Sequence, residues 1–209
     1  MRPPPTLKTI EVFASVQGEG LRQGEPTLFV RLAGCNLRCS FCDTKFAWAG
    51  GRDRPAAAIA EELRALGRRF PARWVCVTGG EPLLQDIAPL VRRLKDDGFL
   101  VQVETNGVFE PRPPADWYTV SPKPPRYAVH PAFVKKAREV KLVVSRELTA
   151  AGVRAVRQAF PERTPLLLQP QDNAPWSLRK GMELLKAASR GGLGNIRVSV
   201  QLHKIYGWK

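Results

Sequence analysis

The sequence predicts an α/β fold, an incomplete (βα) barrel of about six core parallel strands with short N-terminal and C-terminal extensions. Three observations lead there. Short apolar runs alternate with helical stretches, the pattern of repeated βα units around a parallel sheet. At 209 residues the chain is short for an eight-unit barrel, which takes about 250. Each segment rich in cysteine, glycine or paired polar residues falls just after a candidate strand, at the end of a parallel sheet where loops converge on one face.

The elements follow in order. Strands are expected at 9–13 and 28–32, where β-branched and large apolar residues are concentrated. A helix over 56–66 carries Ile59, Leu63 and Leu66 at three- and four-residue steps, opened by Pro55 and closed by Gly67. Trp74-Val75-Cys76-Val77 reads as a buried strand over 74–78, and strands at 100–104, 118–120, 140–144, 166–168 and 196–200 share its short apolar character. Helices over 87–95, 132–137, 150–159 and 178–189 fit between them. A proline-rich connection spans 111–125, and no internal repeat beyond the βα period or low-complexity tract divides the chain, so 1–209 reads as a single domain.

Composition excludes several classes. A hydrophobic content of 44% suits a globular domain. No apolar run approaches the ~20 residues of a membrane span, and Met1-Arg2-Pro3-Pro4-Pro5 leads into no signal-type apolar core, so the expected location is the cytoplasm, without a membrane partner. Its reducing conditions suit thiolate ligands. The 33 Lys and Arg against 19 Asp and Glu give a net charge of +14, which could announce nucleic-acid binding. These charges are scattered, however, as at Arg68-Arg69, Arg92-Arg93 and Lys135-Lys136, and no RNA-binding motif accompanies them. We therefore expect a solvated basic surface, no nucleic-acid partner, and an electrostatic preference for an anionic small substrate.

Cys35-Asn36-Leu37-Arg38-Cys39-Ser40-Phe41-Cys42 carries the most specific chemistry. Thiolates at this spacing can hold an iron-sulfur cluster with one iron left unligated, whereas a cluster for electron storage normally takes four protein thiolates. The open iron is then completed by a small molecule. A structural zinc site would need four ligands, usually two separated pairs. The remaining cysteine, Cys76, lies in an apolar strand and behaves as a small hydrophobe. In Thr78-Gly79-Gly80-Glu81-Pro82, glycines after a strand let backbone approach a ligand, and the carboxylate can accept from an ammonium. Alone, the segment is equally an ordinary strand-to-helix turn. Val16-Gln17-Gly18-Glu19-Gly20 alone is a polar turn, and the Thr44 hydroxyl alone a local cap.

Together these segments carry a resemblance. The cysteine spacing, Phe41 and the Gly-Gly-Glu turn resemble the radical S-adenosylmethionine (SAM) superfamily. With Val16-Gln17-Gly18-Glu19-Gly20, Phe29-Val30-Arg31-Leu32-Ala33-Gly34-Cys35, Asp43-Thr44, Ser121-Pro122-Lys123-Pro124 and the segment 198–204, the chain looks like the 7-carboxy-7-deazaguanine synthase family. The resemblance implies an incomplete barrel of the radical SAM type and a 4Fe-4S cluster on Cys35, Cys39 and Cys42. It implies SAM contacts from Phe41, Asp43, Gly79, Gly80, Glu81, Ser121, Pro122, Lys123, Gln169, Pro170, Gln171 and Asp172, and a Mg2+ ion at Thr44. Substrate contacts would come from Val16, Gln17, Gly18, Arg31 and Thr78, with the Arg31 guanidinium suited to a two-pronged grip on a carboxylate. The implied reaction is radical ring contraction of 6-carboxy-5,6,7,8-tetrahydropterin to 7-carboxy-7-deazaguanine with loss of ammonia, in 7-deazapurine (queuosine) biosynthesis. An electron donor such as flavodoxin or ferredoxin and a homodimer are implied too. Two rivals share parts of the pattern: an activase of a glycyl-radical enzyme and a tRNA-modifying radical SAM enzyme. His203 could donate a proton and Glu104 could orient a ligand. Each also has a structural reading, as a satisfied histidine near the last strand and as a turn cap, and neither is assigned as catalytic.

Overall fold

Nine strands assemble into one sheet in the computed structural model, which describes residues 5–208. Residues 1–4, which carry most of the N-terminal segment weighed above, and Lys209 lie outside that span. The sheet begins antiparallel: β1 (Thr6–Val16) pairs on one side with β2 (Pro26–Leu32) and on the other with the short β3 (Arg52–Pro55). From β2 onward every pairing is parallel, through β4 (Trp74–Gly79), β5 (Leu100–Thr105), β6 (Trp117–Val120), β7 (Ala137–Val144), β8 (Leu166–Pro170) and β9 (Ile196–Val198). The order β3-β1-β2-β4-β5-β6-β7-β8-β9 has two ends, so the barrel is incomplete as expected, with the brief β9 added to a core of six longer parallel strands.

Crossover helices cover the outer face. They are α1 (Ala56–Arg69), α2 (Ala88–Asp96), the single turn α3 (Phe133–Lys136), α4 (Ala150–Ala159) and α5 (Pro175–Arg190). Alternation along each strand sends every second side chain toward them. Leu28, Val30 and Leu32 of β2, Val75 and Val77 of β4, Val101 and Val103 of β5 and Val140, Leu142 and Val144 of β7 thus meet Ile59 and Leu63 of α1, Leu90 and Leu94 of α2 and Val153 of α4 in one buried core. Burying each such side chain contributes about 1.5–3 kcal/mol. The other half of each strand faces inward and is largely polar: Arg31, Thr78, Gln102, Glu104, Thr119, Ser121, Glu139, Lys141 and Gln169.

The structure departs from the sequence expectations at several boundaries. α1 continues through Gly67 to Arg69, and a Cβ on Gly67 would lie 3.3 Å from the Phe99 ring, so this glycine serves packing rather than termination. α5 starts three residues early because Pro175 sits in its first turn, where its missing N–H costs nothing. The helix expected over 132–137 shrinks to α3, since β7 already begins at Ala137. β3 (Arg-Asp-Arg-Pro) and a short α6 (Leu202–Tyr206) were not expected: the first is three charged residues and a proline, and the second is too brief to show a helical period.

Candidate active site

The carboxyl ends of β2, β4, β5, β6, β7 and β8 open into one cavity. Cys35, Cys39, Phe41, Cys42, Asp43 and Thr44 reach it from the loop after β2, Val16 from the end of β1, and Gln17 and Gly18 from the segment that follows. Arg31, Thr78, Gly79, Gly80, Ser121, Lys123, Gln169, Pro170, Gln171 and Asp172 line it from strand ends and following turns. Of the residues assigned from sequence, only Glu81 and Pro122 stand outside the lining, and both are buried.

The cysteine loop is braced from behind. Gly34 N–H donates to Ala47 O at 2.9 Å, Gly80 N–H to Leu32 O at 3.1 Å and Glu81 N–H to Gly34 O at 2.7 Å. A Cβ on Gly80 would stand 2.1 Å from Gly34 O, and one on Gly79 2.2 Å from Leu32 O. These glycines are therefore required by the close approach of two backbones, a reason distinct from ligand access and indistinguishable from it in sequence. The Glu81 carboxylate is likewise turned inward: Oε1 accepts from Thr105 Oγ1 (2.7 Å) and Leu83 N–H (3.0 Å), and Oε2 from Asn106 N–H (2.7 Å). Through these bonds Glu81 fixes Asn106, whose Nδ2 donates to Asn36 Oδ1 of the cysteine loop at 2.9 Å. Burial pushes its carboxyl above the ordinary range, against the pull of these donors.

Cys35, Cys39 and Cys42 are free and partly exposed. Burial pushes the Cys39 thiol up, with the nearby Lys123 ammonium acting against it. Cys76 is fully buried beside the stacked rings of Phe13 and Phe29, and burial lifts its thiol well above the usual range. Three thiols on one braced loop, with the fourth set apart in the sheet, fit a three-thiolate cluster. Room for a polar ligand also fits: Trp48 Nε1, Gln169 Oε1 and Gln201 Oε1 are buried atoms of lining residues with no hydrogen-bond partner in the protein. Thr44 Oγ1 donates to Asp43 Oδ1 at 2.9 Å, and Glu19, Asp43 and His203 bring ligand atoms within 4.8 Å of one another. The oxygens of Thr44, Asp43 and Glu19 form the hard donor set that suits Mg2+, for which imidazole is a poorer ligand.

Arg31 lies beside the cysteine loop with its guanidinium 5.7 Å from each of the Phe13 and Phe46 rings, and Nε donates to Glu11 at 2.8 Å. Lys123 donates to the Ser121 carbonyl at 2.8 Å, and burial lowers its pKa. Residues left unassigned from sequence complete the wall, among them Glu19, Glu104, Thr105, Asn106, Lys141, Gln201 and His203. His203 lies in α6, shortly after the last strand, and a Cβ on Gly18 would lie 2.4 Å from its Nδ1. The signal for Glu104 and Lys141 was present: in Leu-Val-Gln-Val-Glu-Thr and Glu-Val-Lys-Leu-Val-Val, polar residues recur every second position inside otherwise buried strands. In a barrel that alternation marks the interior.

Comparison with known proteins adds to this geometry. The Radical SAM superfamily profile matches residues 29–116. A 7-carboxy-7-deazaguanine synthase of Aquifex aeolicus (strain VF5) is 35% identical over 208 residues, covering 95% of this chain and 93% of the relative. The Escherichia coli (strain K12) protein of the same name is 34% identical over 218 residues, with 93% and 95% covered. The crystal structure of QueE from Escherichia coli matches with a TM-score of 0.75 at 30% identity, covering 95% of each chain. Streptococcus suis SuiB, solved with S-adenosylmethionine, shares the fold at a TM-score of 0.58 and 15% identity, over 79% of this chain and 48% of that one.

Proposed function

The chain belongs to the 7-carboxy-7-deazaguanine synthase family of radical SAM enzymes, and on that premise we propose that it converts 6-carboxy-5,6,7,8-tetrahydropterin to 7-carboxy-7-deazaguanine with release of ammonia. The observation that carries this reading is the convergence, on one cavity, of three free cysteines with Gln17, Gly18, Arg31, Thr78, Ser121 and Lys123. When bound, the cluster and SAM supply a carbon radical able to abstract a substrate hydrogen. The protein's part is to hold and orient. Cys35, Cys39 and Cys42 hold the cluster. Phe41, Asp43, Gly79, Gly80, Ser121, Lys123 and 169–172 line the SAM side, and Val16, Gln17, Gly18 and Thr78 the pterin side. Arg31 receives the substrate carboxylate, charge against charge, in a wall that also carries Lys123. Thr44 supplies a neutral oxygen to Mg2+.

A reduced one-electron carrier such as flavodoxin or ferredoxin, a homodimer, a cytoplasmic location and a single domain over 1–209 belong to the same proposal. Among the described residues no helix is long and apolar enough to cross a membrane. Anaerobic reconstitution followed by incubation with SAM, a reductant, Mg2+ and the carboxy-tetrahydropterin tests the reading directly. The expected product is the deazaguanine carboxylate, with SAM regenerated. Reductive SAM cleavage without any consumption of the pterin would point instead to another substrate.

A further inference from the structure

Gln17 and Glu19, on either side of Gly18, belong to a closed ring of contacts. Glu19 N–H donates to Gln17 Oε1 at 3.1 Å, and Gln17 Nε2 donates to Glu104 Oε1 at 3.2 Å. Glu104 Oε2 lies 3.5 Å from the Lys141 ammonium, which also binds Glu19 Oε2 and so returns to the starting residue. Lys141 is 6% exposed and lines the cavity from the middle of β7. Gly18 itself is fixed from the far side, its carbonyl accepting from Leu202 N–H at 2.9 Å and Gln23 Nε2 at 3.0 Å. The ring thus joins two strand interiors to residues 17–19, where the chain leaves β1 and is otherwise tied back by Gln17 N–H to Glu25 O and Gly24 N–H to Gln17 O, 2.8 Å each.

We propose that Lys141 is a positioning residue for this reaction, whose ammonium clamps Glu19 and Glu104 together and thereby locks the 16–19 segment in the shape that receives the pterin. The proposal rests on the family reading above for the identity of the ligand, but not for the ring. The physical case is that of a shared counter-ion. Two carboxylates that share one ammonium repel each other unless that cation sits between them, and removing it from a largely buried site leaves their charge uncompensated. Once the ammonium is gone, neither acid keeps the ion pair that holds it in the ring.

Substitution of Lys141 separates this role from a merely structural one. In Lys141→Met, KM for the carboxy-tetrahydropterin should rise at least about tenfold, as expected for losing a buried partner, while SAM affinity and substrate-free SAM cleavage stay within about twofold. Lys141→Arg keeps the charge and should recover part of the loss. Lys141→Met combined with Glu104→Gln should be no worse than Lys141→Met alone, because the residues act through one contact. Should Lys141→Met fail to fold, Glu104→Gln opens the same ring with less charge imbalance and should raise KM in the same sense. Hydrogen exchange gives a readout independent of substrate identity: amides of 16–24 should lose protection in the variants while those of β4 keep it. An unchanged KM together with unchanged exchange at 16–24 overturns the positioning role, as does a parallel fall in SAM affinity. A wild-type enzyme that leaves the pterin untouched while the variants still expose 16–24 would instead sink the substrate assignment and leave the ring intact.

Discussion

The two faces of the same strands obey opposite rules. Outward, Val75, Val77, Val101, Val103, Val140 and Leu142 present an almost unbroken hydrocarbon surface to the helices. Inward, one residue further along each strand, Gln102, Glu104, Thr119, Glu139 and Lys141 are bound to one another in a water-poor interior. Beneath the cavity this network closes the barrel's other end: Arg22 stacks 3.6 Å above Trp74 and donates to Gln102 Oε1 at 2.6 Å, while Glu139 accepts from Thr119 Oγ1 and from Leu21 N–H at 2.7 Å each. The lesson is a division of labour within a single strand. One face stabilises the fold, and the other spends that stability on holding charged groups where a ligand can use them.

Three changes probe this division. The largest effect falls on the inner rim: Cys39→Ser should abolish cluster loading and turnover, yet shift unfolding free energy by less than about 1 kcal/mol, because the residue sits on a partly exposed loop. Iron quantification and urea denaturation of the apo form measure the two quantities, and a large stability loss would mean the loop belongs to the core. The outer face should behave in reverse. Leu142→Ala removes a fully buried side chain and should cost about 2–5 kcal/mol, seen as a lower urea midpoint at constant slope. If the site tolerates the loss, substrate affinity will be close to wild type at temperatures where the variant remains folded.

The smallest effect concerns Glu139. Burial raises its carboxyl in the folded state above its unfolded value, so its contribution is favourable at low pH and is lost as pH rises through the raised value. Glu139→Gln removes that loss while keeping an acceptor for Leu21. Relative to wild type the variant should match near pH 4 and be the more stable of the two by pH 8. A variant less stable at both pH values would show that the ionised carboxylate itself holds the 20–22 turn. Gly20 adds weight to the contact, for a Cβ there would stand 2.4 Å from Glu139 Oε1.

Much of this organisation was legible in the sequence, for reasons that also define what was not. The eight expected strands are all present because each carries a short apolar run. The charged β3 escaped because its place is set by its partner β1 rather than by its own residues. The cysteine triplet and the motifs after β4, β5 and β6 could be put on one face without coordinates, since parallel strands deliver their carboxyl-end loops together. Direction was harder to read. Gly79, Gly80 and Glu81 look the same in sequence whether they meet a ligand or the backbone of residues 32–34, and here their tightest contacts are internal. Gln102, Glu139 and Lys141 stood out only as interruptions of apolar runs, until the sheet curved and gave them an inside.

Gln201 donates to Glu19 at 2.7 Å across a separation of 182 residues, and the contact has a meaning in time as well as in space. The cysteine loop finds its braces at residues 79–81 and its Asn106 tie by the time half the chain has been synthesised. The segment that carries Gly18 and Glu19 must wait for 201–203 before its wall is whole. A polypeptide that folds as it grows would hold all three cysteines braced before the cavity wall around Glu19 could close. Assembly of the metallocentre and competence for the substrate are set by different contacts, one of short and one of very long loop length, and the longer closure is the slower to find.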